Sequence, residues 1–456
     1  MQIAATERES AQIGAGMNPA ARLGSALRRR TRYAWRRLTR GKRRPATEAA
    51  FDWLLRQGTD HGDPGATAAA IETVVAYGAV DVARRWAAWL LSIQRPDGSL
   101  SAASMQSPSI FNTTQAVRGW NALAEEMPEL GPAIAAARGY LASQADESAE
   151  PTRTWGSTAD LARQAVCWYE SVLSGNVSGG WGKAQRCPST NDPGASLRSA
   201  TSHPATSHPL SQAADARARA DRAMAYLVRQ QRRDGGFGRV PQAEAFWTAK
   251  YFLDAALMQV RSAFDAERGT QSELPRRIDP ADGRMEAVRR WFASLPTVAR
   301  VADVGCGKGR FLWQLGREFP DARLTGIDVS PAMLAQLPEG VAAIEGGLLR
   351  IPAADGAFDG AFAVESLEHS LLPERAVTEL CRIVRPGGRV LIIDKHAARQ
   401  PLSDHEPWER WFMPEELTGW LARDCDEVSI EPVAHTEGRG GVGLFLCAVG
   451  KRRVAS

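Results

Sequence analysis

Two aspartates and three glycines around a pair of strand ends have the spacing for binding chemistry. In Val301-Ala302-Asp303-Val304-Gly305-Cys306-Gly307-Lys308-Gly309-Arg310-Phe311, a β-branched run stops at Val304 and a helical pattern starts near Gly309. Glycines at 305, 307 and 309 let the backbone turn tightly and approach a ligand closely. A dinucleotide G-x-G-x-x-G would need its third glycine where Arg310 stands, and no Lys-Ser/Thr phosphate loop is present. Twenty-five residues after Asp303, Asp328 ends the run Leu324-Thr325-Gly326-Ile327-Asp328. A carboxylate at that strand end is placed to accept both ribose hydroxyls of an adenosine moiety.

The surrounding pattern supplies the frame. Short β-branched runs at 301–304, 323–327, 341–344, 360–364, 390–393 and 443–449 alternate with helices fitting 309–318, 331–336, 374–384 and 414–422. Such alternation predicts a mostly parallel, doubly wound α/β sheet over 297–456, with 263–296 as linker and lead-in helix.

The glycine loop, Asp328, the Glu345–Pro352 stretch, Phe358-Asp359-Gly360 and Arg385-Pro386-Gly387-Gly388 come in an order and spacing that strongly resemble class I S-adenosylmethionine-dependent methyltransferases. The resemblance covers about 295–450. It implies S-adenosylmethionine as cofactor and S-adenosylhomocysteine as product. Gly305 and Gly307 would pass under the methionine part, and Asp303 would order that loop and its ammonium contacts. Asp328 would take the ribose, with Val329 beside the adenine. Where the family often has Asp, this chain has Gly347, so Leu348 and backbone groups would serve instead. Cys306 and Glu365 complete the implied cofactor set. Cys306 reads as a small packing residue, not a nucleophile.

Methyl transfer often needs the acceptor deprotonated, and a His suits a hydroxyl. His369, in Glu365-Ser366-Leu367-Glu368-His369, and His396, in Asp394-Lys395-His396, are the two candidates, with Glu365 or Asp394 as further bases. His405 and Glu406, before Trp408 and Trp411, read as part of a lid. The seven His are scattered without H-E-x-x-H and the six Cys contain no C-x-x-C, so no metal site is expected.

From 47 to 262 the apolar residues recur at three and four, predicting helices at 48–57, 66–79, 81–94, 112–126, 133–144, 158–174, 217–231 and 243–260. Gln94…Gly98-x-Leu100 and Gln231…Gly235-Gly236-Phe237 resemble degenerate Q-x-x-x-G-x-W repeats of squalene cyclases and protein prenyltransferase β subunits. That implies an all-α (α/α) toroid. No D-x-D-D run and no zinc trio accompany it, so cyclase or prenyltransferase chemistry is not expected. Trp86, Trp89, Trp120, Trp155, Trp168, Trp181 and Trp247 are numerous enough to line a saccharide cavity, or else fill the core. The Ser/Thr/Pro-rich stretch 183–213 reads as a mobile insertion.

The 456 residues exceed what one core usually serves, so two domains are expected. Residues 1–46 read as a flexible basic arm, in which 22–44 hold eleven of the 56 basic residues and no acid. The rest balances 45 basic against 52 acidic residues. Leu23, Leu27, Trp35 and Leu38 among the arginines suit peripheral contact with an anionic membrane, while no motif supports nucleic acid. With no spanning run and no secretory h-region, the cytoplasm is expected, with the inner membrane face as the place for such contact. The leading reading is an O-directed methyltransferase of a bulky small molecule, such as a saccharide or glycolipid intermediate, selected by the helical half. The alternatives are methylation of a terpenoid, polyketide or peptide, a helical half with its own isoprenoid or sugar chemistry, and a catalytically silent helical scaffold.

Overall fold

The computed structural model describes residues 45–58, 63–101, 107–144, 157–173, 209–238, 242–268, 276–399, 406–436 and 441–454. The arm 22–44, most of the insertion 183–213, Trp155, Trp181 and His405 lie outside them.

The N-terminal half is helical: α1 (Ala46–Gln57), α2 (Pro64–Ala76), α3 (Val80–Ser92), α4 (Ile110–Asn121), α5 (Gly131–Ser143), α6 (Ser157–Leu173), α7 (Pro209–Gln230) and α8 (Gln242–Ser262). A two-residue hairpin, β1 (Leu100–Ser101) with β2 (Pro108–Ser109), precedes α4. All eight expected helices are present, and α7 begins at Pro209, eight residues before the periodicity does. Helix α2 is apolar nearly all round, as a central helix must be, and starts on an Asp63 cap that accepts from Gly65 and Ala66 backbone N–H groups. Helix α8 is the other central element, packing against α1, α2, α6 and α7.

The two repeated turns do the same mechanical work. The side-chain amide of Gln94 donates to its own turn at the Gly98 carbonyl (2.9 Å) and to Ala133 of α5 (3.0 Å). That of Gln231 donates to Gly235 (3.0 Å) and to Ala46 at the start of α1 (2.9 Å), 185 residues back. Asp97 and Asp234 each accept from the backbone N–H two residues on, closing the turns. Gly235 needs its left-handed φ of 96°, and a Cβ there would sit 2.0 Å from the Ala49 carbonyl. The last turn of the helical half thus grips its first helix.

The C-terminal half is a seven-stranded sheet: β3 (Arg300–Val304), β4 (Arg323–Asp328), β5 (Ala342–Glu345), β6 (Phe358–Val364), β7 (Val384–Lys395), β8 (Cys425–His435) and β9 (Gly441–Arg452). Its order is β5-β4-β3-β6-β7-β9-β8, parallel except for β9, which runs antiparallel between β7 and β8. Helices α9 (Gly283–Phe292), α10 (Arg310–Glu318), α11 (Pro331–Leu334), α12 (Pro373–Ile383) and α13 (Pro414–Asp424) complete it. The order of strand addition reverses between β3 and β6, which opens a crevice at the strands' carboxyl ends.

Strand β8 was not expected from sequence. It is an edge strand carrying Pro432 and alternating with charges, mostly exposed, so it lacks the apolar run of its neighbours.

The halves share one apolar core, in which Ala302, Val304, Ile327, Leu349 and Ile351 join the helical residues. Glu48 pairs with Arg410 at 2.7 Å, Glu126 with Arg350, and Arg261 with Glu345 at 2.9 Å. Residues 263–268, expected as spacer, continue α8 as a π turn whose Asp265 accepts from Ser330 Oγ (2.9 Å) and the Ala332 N–H (3.2 Å).

Gln231→Ala strands two carbonyls at once, so it should cost about 1–3 kcal/mol in urea unfolding. Gln94→Ala should cost a similar amount, because its two bonds are of the same kind. A neutral Gln231→Ala would show that the turn does not hold α1.

Candidate active site

The crevice is a cavity of about 990 Å³. That is the upper end of the roughly 300–1,000 Å³ small-molecule range and leaves room for more than one ligand. Its floor is the glycine loop and the ends of β4 to β7, and its roof is α2, α8 and the π turn of the helical half.

Asp303, near the end of β3, is 2% exposed, and its Oδ2 has no hydrogen-bond partner. Burial and the neighbouring Asp328 push its carboxyl well above the ordinary range, against the pull of Arg310. Asp328 ends β4, with Oδ2 accepting from Gly307 N–H (2.8 Å) and Oδ1 from Ser330 N–H (2.9 Å). Burial still raises it, because those amides offset the desolvation only in part. Each of its oxygens keeps acceptor capacity. Gly305 (φ 78°) has no room for a side chain, since a Cβ would lie 2.3 Å from Ser366. At Gly307 (φ 53°) a Cβ would meet nothing within 4 Å, so the backbone is bare toward the cavity.

Val329, Leu348 and Cys306 also line the space. The Cys306 thiol is raised by burial and by both aspartates, which fits a packing residue. All eight residues expected to hold the cofactor therefore lie on one cavity. An orphaned carboxylate oxygen, a second carboxylate with spare acceptors and an uncovered glycine backbone fit an ammonium, a diol and a nucleoside.

Glu365 stands at φ 52°, a left-handed conformation unusual for a non-glycine residue. Two guanidiniums hold it there: Arg284 and Arg310 both donate to its Oε1. Arg284, 1% exposed, is itself forked by Asp282 (2.9 and 3.0 Å). Burial would raise the Asp282 carboxyl, but bonds from Arg284 and Thr436 hold it well below the usual range. Arg310, where a dinucleotide loop would have glycine, bridges the start of α10 to the end of β6.

At the far end lies a buried polar cluster. Glu368, 2% exposed, accepts at Oε1 from Lys395 Nζ (2.9 Å) and His369 Nε2 (3.3 Å). Desolvation opposes its charge, yet His369 and Lys395 hold it well below the ordinary range. Lys395 also meets Glu409 at 3.1 Å, and although burial disfavours its charge the two carboxylates raise it, so it is a fixed cation. An ionised carboxylate only accepts, so His369 Nε2 is the donor to Glu368. The ring's Nδ1 is buried without a partner, and Phe264 packs edge-on to the ring at 4.9 Å.

His396 does not line the cavity. Strand alternation turns Lys395 inward and His396 away, where its backbone pairs with Leu444. Asp394 is fully buried, its oxygens taken by the Glu368 and Lys395 N–H groups, and is raised by burial. Glu365 is clamped by two arginines. Of the expected bases, His369 alone lines the cavity with an unengaged basic atom. Arg284, Glu368, Lys395 and Glu409 escaped sequence reading because their roles depend on pairings across 14 to 81 residues.

Residues 302–392 match the methyltransferase domain family. The chain is 34% identical over 103 residues to an O-methyltransferase of Penicillium expansum, covering 21% of this chain and 37% of that protein. It is 32% identical over 139 residues to an S-adenosyl-L-methionine-dependent Diels–Alderase of Talaromyces variabilis, covering 28% and 46%. Among solved structures, a SAM-dependent methyltransferase of Thermotoga maritima is 23% identical, with TM-score 0.31, covering 38% of this chain and 88% of that one. The chain thus spans less than half the length of these two curated relatives. The C-terminal half is a class I methyltransferase domain. S-Adenosylmethionine is the cofactor such a domain takes, and S-adenosylhomocysteine the product it leaves.

The raised Asp303 carboxyl makes a linkage testable. The native group holds a proton that the unfolded chain releases above about pH 3.9, so its contribution to stability falls as pH rises toward the native value. A ligand ammonium favours the ionised form and should expel that proton. Calorimetry of S-adenosylhomocysteine in buffers of different ionisation enthalpy should show proton release, reduced in Asp303→Asn. Equal release in both proteins would remove this role.

Proposed function

We propose that the protein transfers the methyl group of S-adenosylmethionine to an oxygen of a bulky small-molecule acceptor, with His369 as base. The observation that carries this reading is that His369, whose Nδ1 has no hydrogen-bond partner, lines the same cavity as Asp303 and Asp328. When bound, the cofactor supplies an electrophilic methyl and leaves as the neutral thioether. Asp303 holds its ammonium, Asp328 its ribose, and Val329 and Leu348 flank its adenine. The acceptor hydroxyl gives its proton to Nδ1, and Glu368 stabilises the resulting imidazolium through Nε2–H.

A saccharide acceptor draws no support from the tryptophans at this cavity. Trp86, Trp120 and Trp247 are buried in the helical core, and no described tryptophan of the helical half lines the cavity. We also read the helical half as an (α/α) toroid, supported by the bond from Gln231 back to Ala46. No helix among the described residues is long and apolar enough to cross a membrane. The basic residues 22–44 support peripheral contact with anionic lipid.

His369→Ala should lower single-turnover transfer by roughly 10²–10⁴-fold with donor affinity intact, while His396→Ala stays near native. Asp328→Ala should weaken donor binding by about 1.5–3 kcal/mol. Native turnover in His369→Ala would overturn the assigned base.

A protein lacking residues 1–46 should no longer float with anionic vesicles, and salt should weaken flotation of the full chain. Equal flotation of both would reject the contact.

A further inference from the structure

Two buried thiols are in contact in the C-terminal half, and neither lines the cavity. Cys381, in the last turn of α12, is fully buried; Cys425, which ends α13 and begins β8, is 2% exposed. Their sulfurs lie 3.6 Å apart. A disulfide brings sulfurs to about 2.05 Å, so the two side chains have to close a gap of roughly 1.5 Å between them. Gly450 of β9 makes this placement of Cys425 possible. A Cβ there would sit 2.8 Å from the Cys425 Cβ and 3.1 Å from its sulfur.

The two sulfurs are not equivalent. The bond from Cys381 lowers the Cys425 thiol below its ordinary range, with help from Arg452 and Arg453 and against burial and Asp424. The same contact, together with burial, raises Cys381. Cys425 is therefore the better nucleophile of the pair. Its surroundings also provide a way in. Cys425 opens the edge strand β8, and its neighbours Asp426 and Glu427 are exposed. The register with β9 shifts between Asp426 and Ser429, and Glu427 stands at φ 51°. A bulge with a left-handed non-glycine residue on a sheet edge opens at far lower cost than a core strand.

We infer that Cys381 and Cys425 are a modification site, forming a reversible disulfide with a peroxide as oxidant and stapling α12 to the start of β8. The Cys425 thiolate attacks one peroxide oxygen, the O–O bond breaks, and hydroxide leaves a sulfenic acid behind. The Cys381 sulfur, giving up its proton, then attacks the sulfenic sulfur; the S–S bond forms, the S–O bond breaks, and a second hydroxide leaves. Each hydroxide takes up one thiol proton, so two thiols and one hydrogen peroxide give one disulfide and two waters. The bond closes a loop of 44 positions that contains β7 and the cavity residues Lys395, Glu409 and Trp411. The stapled helix also holds Ile351, next to the cavity residue Arg350: Glu379 accepts from its N–H (2.9 Å) and Arg382 donates to its carbonyl (2.8 Å). The staple is independent of which group receives the methyl.

The full-length protein is treated with hydrogen peroxide, its remaining thiols are alkylated, and its peptides are mapped by mass. A Cys381–Cys425 peptide pair is expected, lighter by two hydrogens than the separate thiol peptides and released by dithiothreitol. The unfolding temperature should rise by about 3–6 °C over the reduced protein, a rise absent from Cys425→Ala treated in the same way. Cys381→Ala treated with dimedone present should carry the adduct on Cys425, whereas Cys425→Ala should keep Cys381 reduced. Either variant reads the order of attack if the other fails to fold. Cys425 carried to sulfinic acid while Cys381 stays a thiol, a bond from either to another cysteine, two thiols left intact, or an unfolding temperature unmoved by the bond overturns the inference.

Discussion

Two carboxylates buried side by side are the constraint around which this molecule is arranged. Asp303 and Asp328 sit at the ends of adjacent parallel strands, both pushed toward the protonated form by burial. Such a pair opposes folding unless something compensates. Backbone amides from Gly307 and Ser330 compensate Asp328 in part, which the left-handed glycine loop makes geometrically available. The Asp303 oxygen without a partner remains, and it is the place where a ligand's positive charge gains most. Binding energy is thus held in the site as an unpaired carboxyl oxygen.

Arginines near this pair are kept from simply cancelling it. Arg310 approaches Asp303 closely enough to lower it, yet its guanidinium is committed to Glu365. Arg284 shares Glu365 and is anchored by buried Asp282. A carboxylate between two guanidiniums, in a strained backbone conformation, therefore holds both cations on Glu365 and leaves the Asp303 oxygen without a partner.

Much of this was legible in sequence because it is local. Glycine spacing, a strand-terminal aspartate and helical periodicity are short-range patterns, so the loop, Asp328 and the eight helices could be read directly. Edge strand β8 could not, since Pro432 and its exposed, charged face erase the apolar signature. Nor could the choice between His369 and His396. Both follow strands, and only the pleat decides which faces the cavity. The sharing of one core by both halves was also out of reach, because a helix's apolar residues do not say against which partner they bury.

That shared core changes what the helical half does. A separate selector would contact the sheet through a polar, water-filled seam, as inter-domain surfaces usually do. Here the apolar core runs through from Ala302, Val304 and Ile327 into α2 and α8, and Asp265 of the π turn accepts from Ser330 and Ala332 beside Asp328. The roof and the cofactor loop are therefore mechanically one body. A displacement of α8 shifts Phe264 against His369 and Asp265 against the turn after β4 together. The helical roof and the turn after β4 are joined through the same few residues, so a change in the helical half reaches Asp328 without touching it.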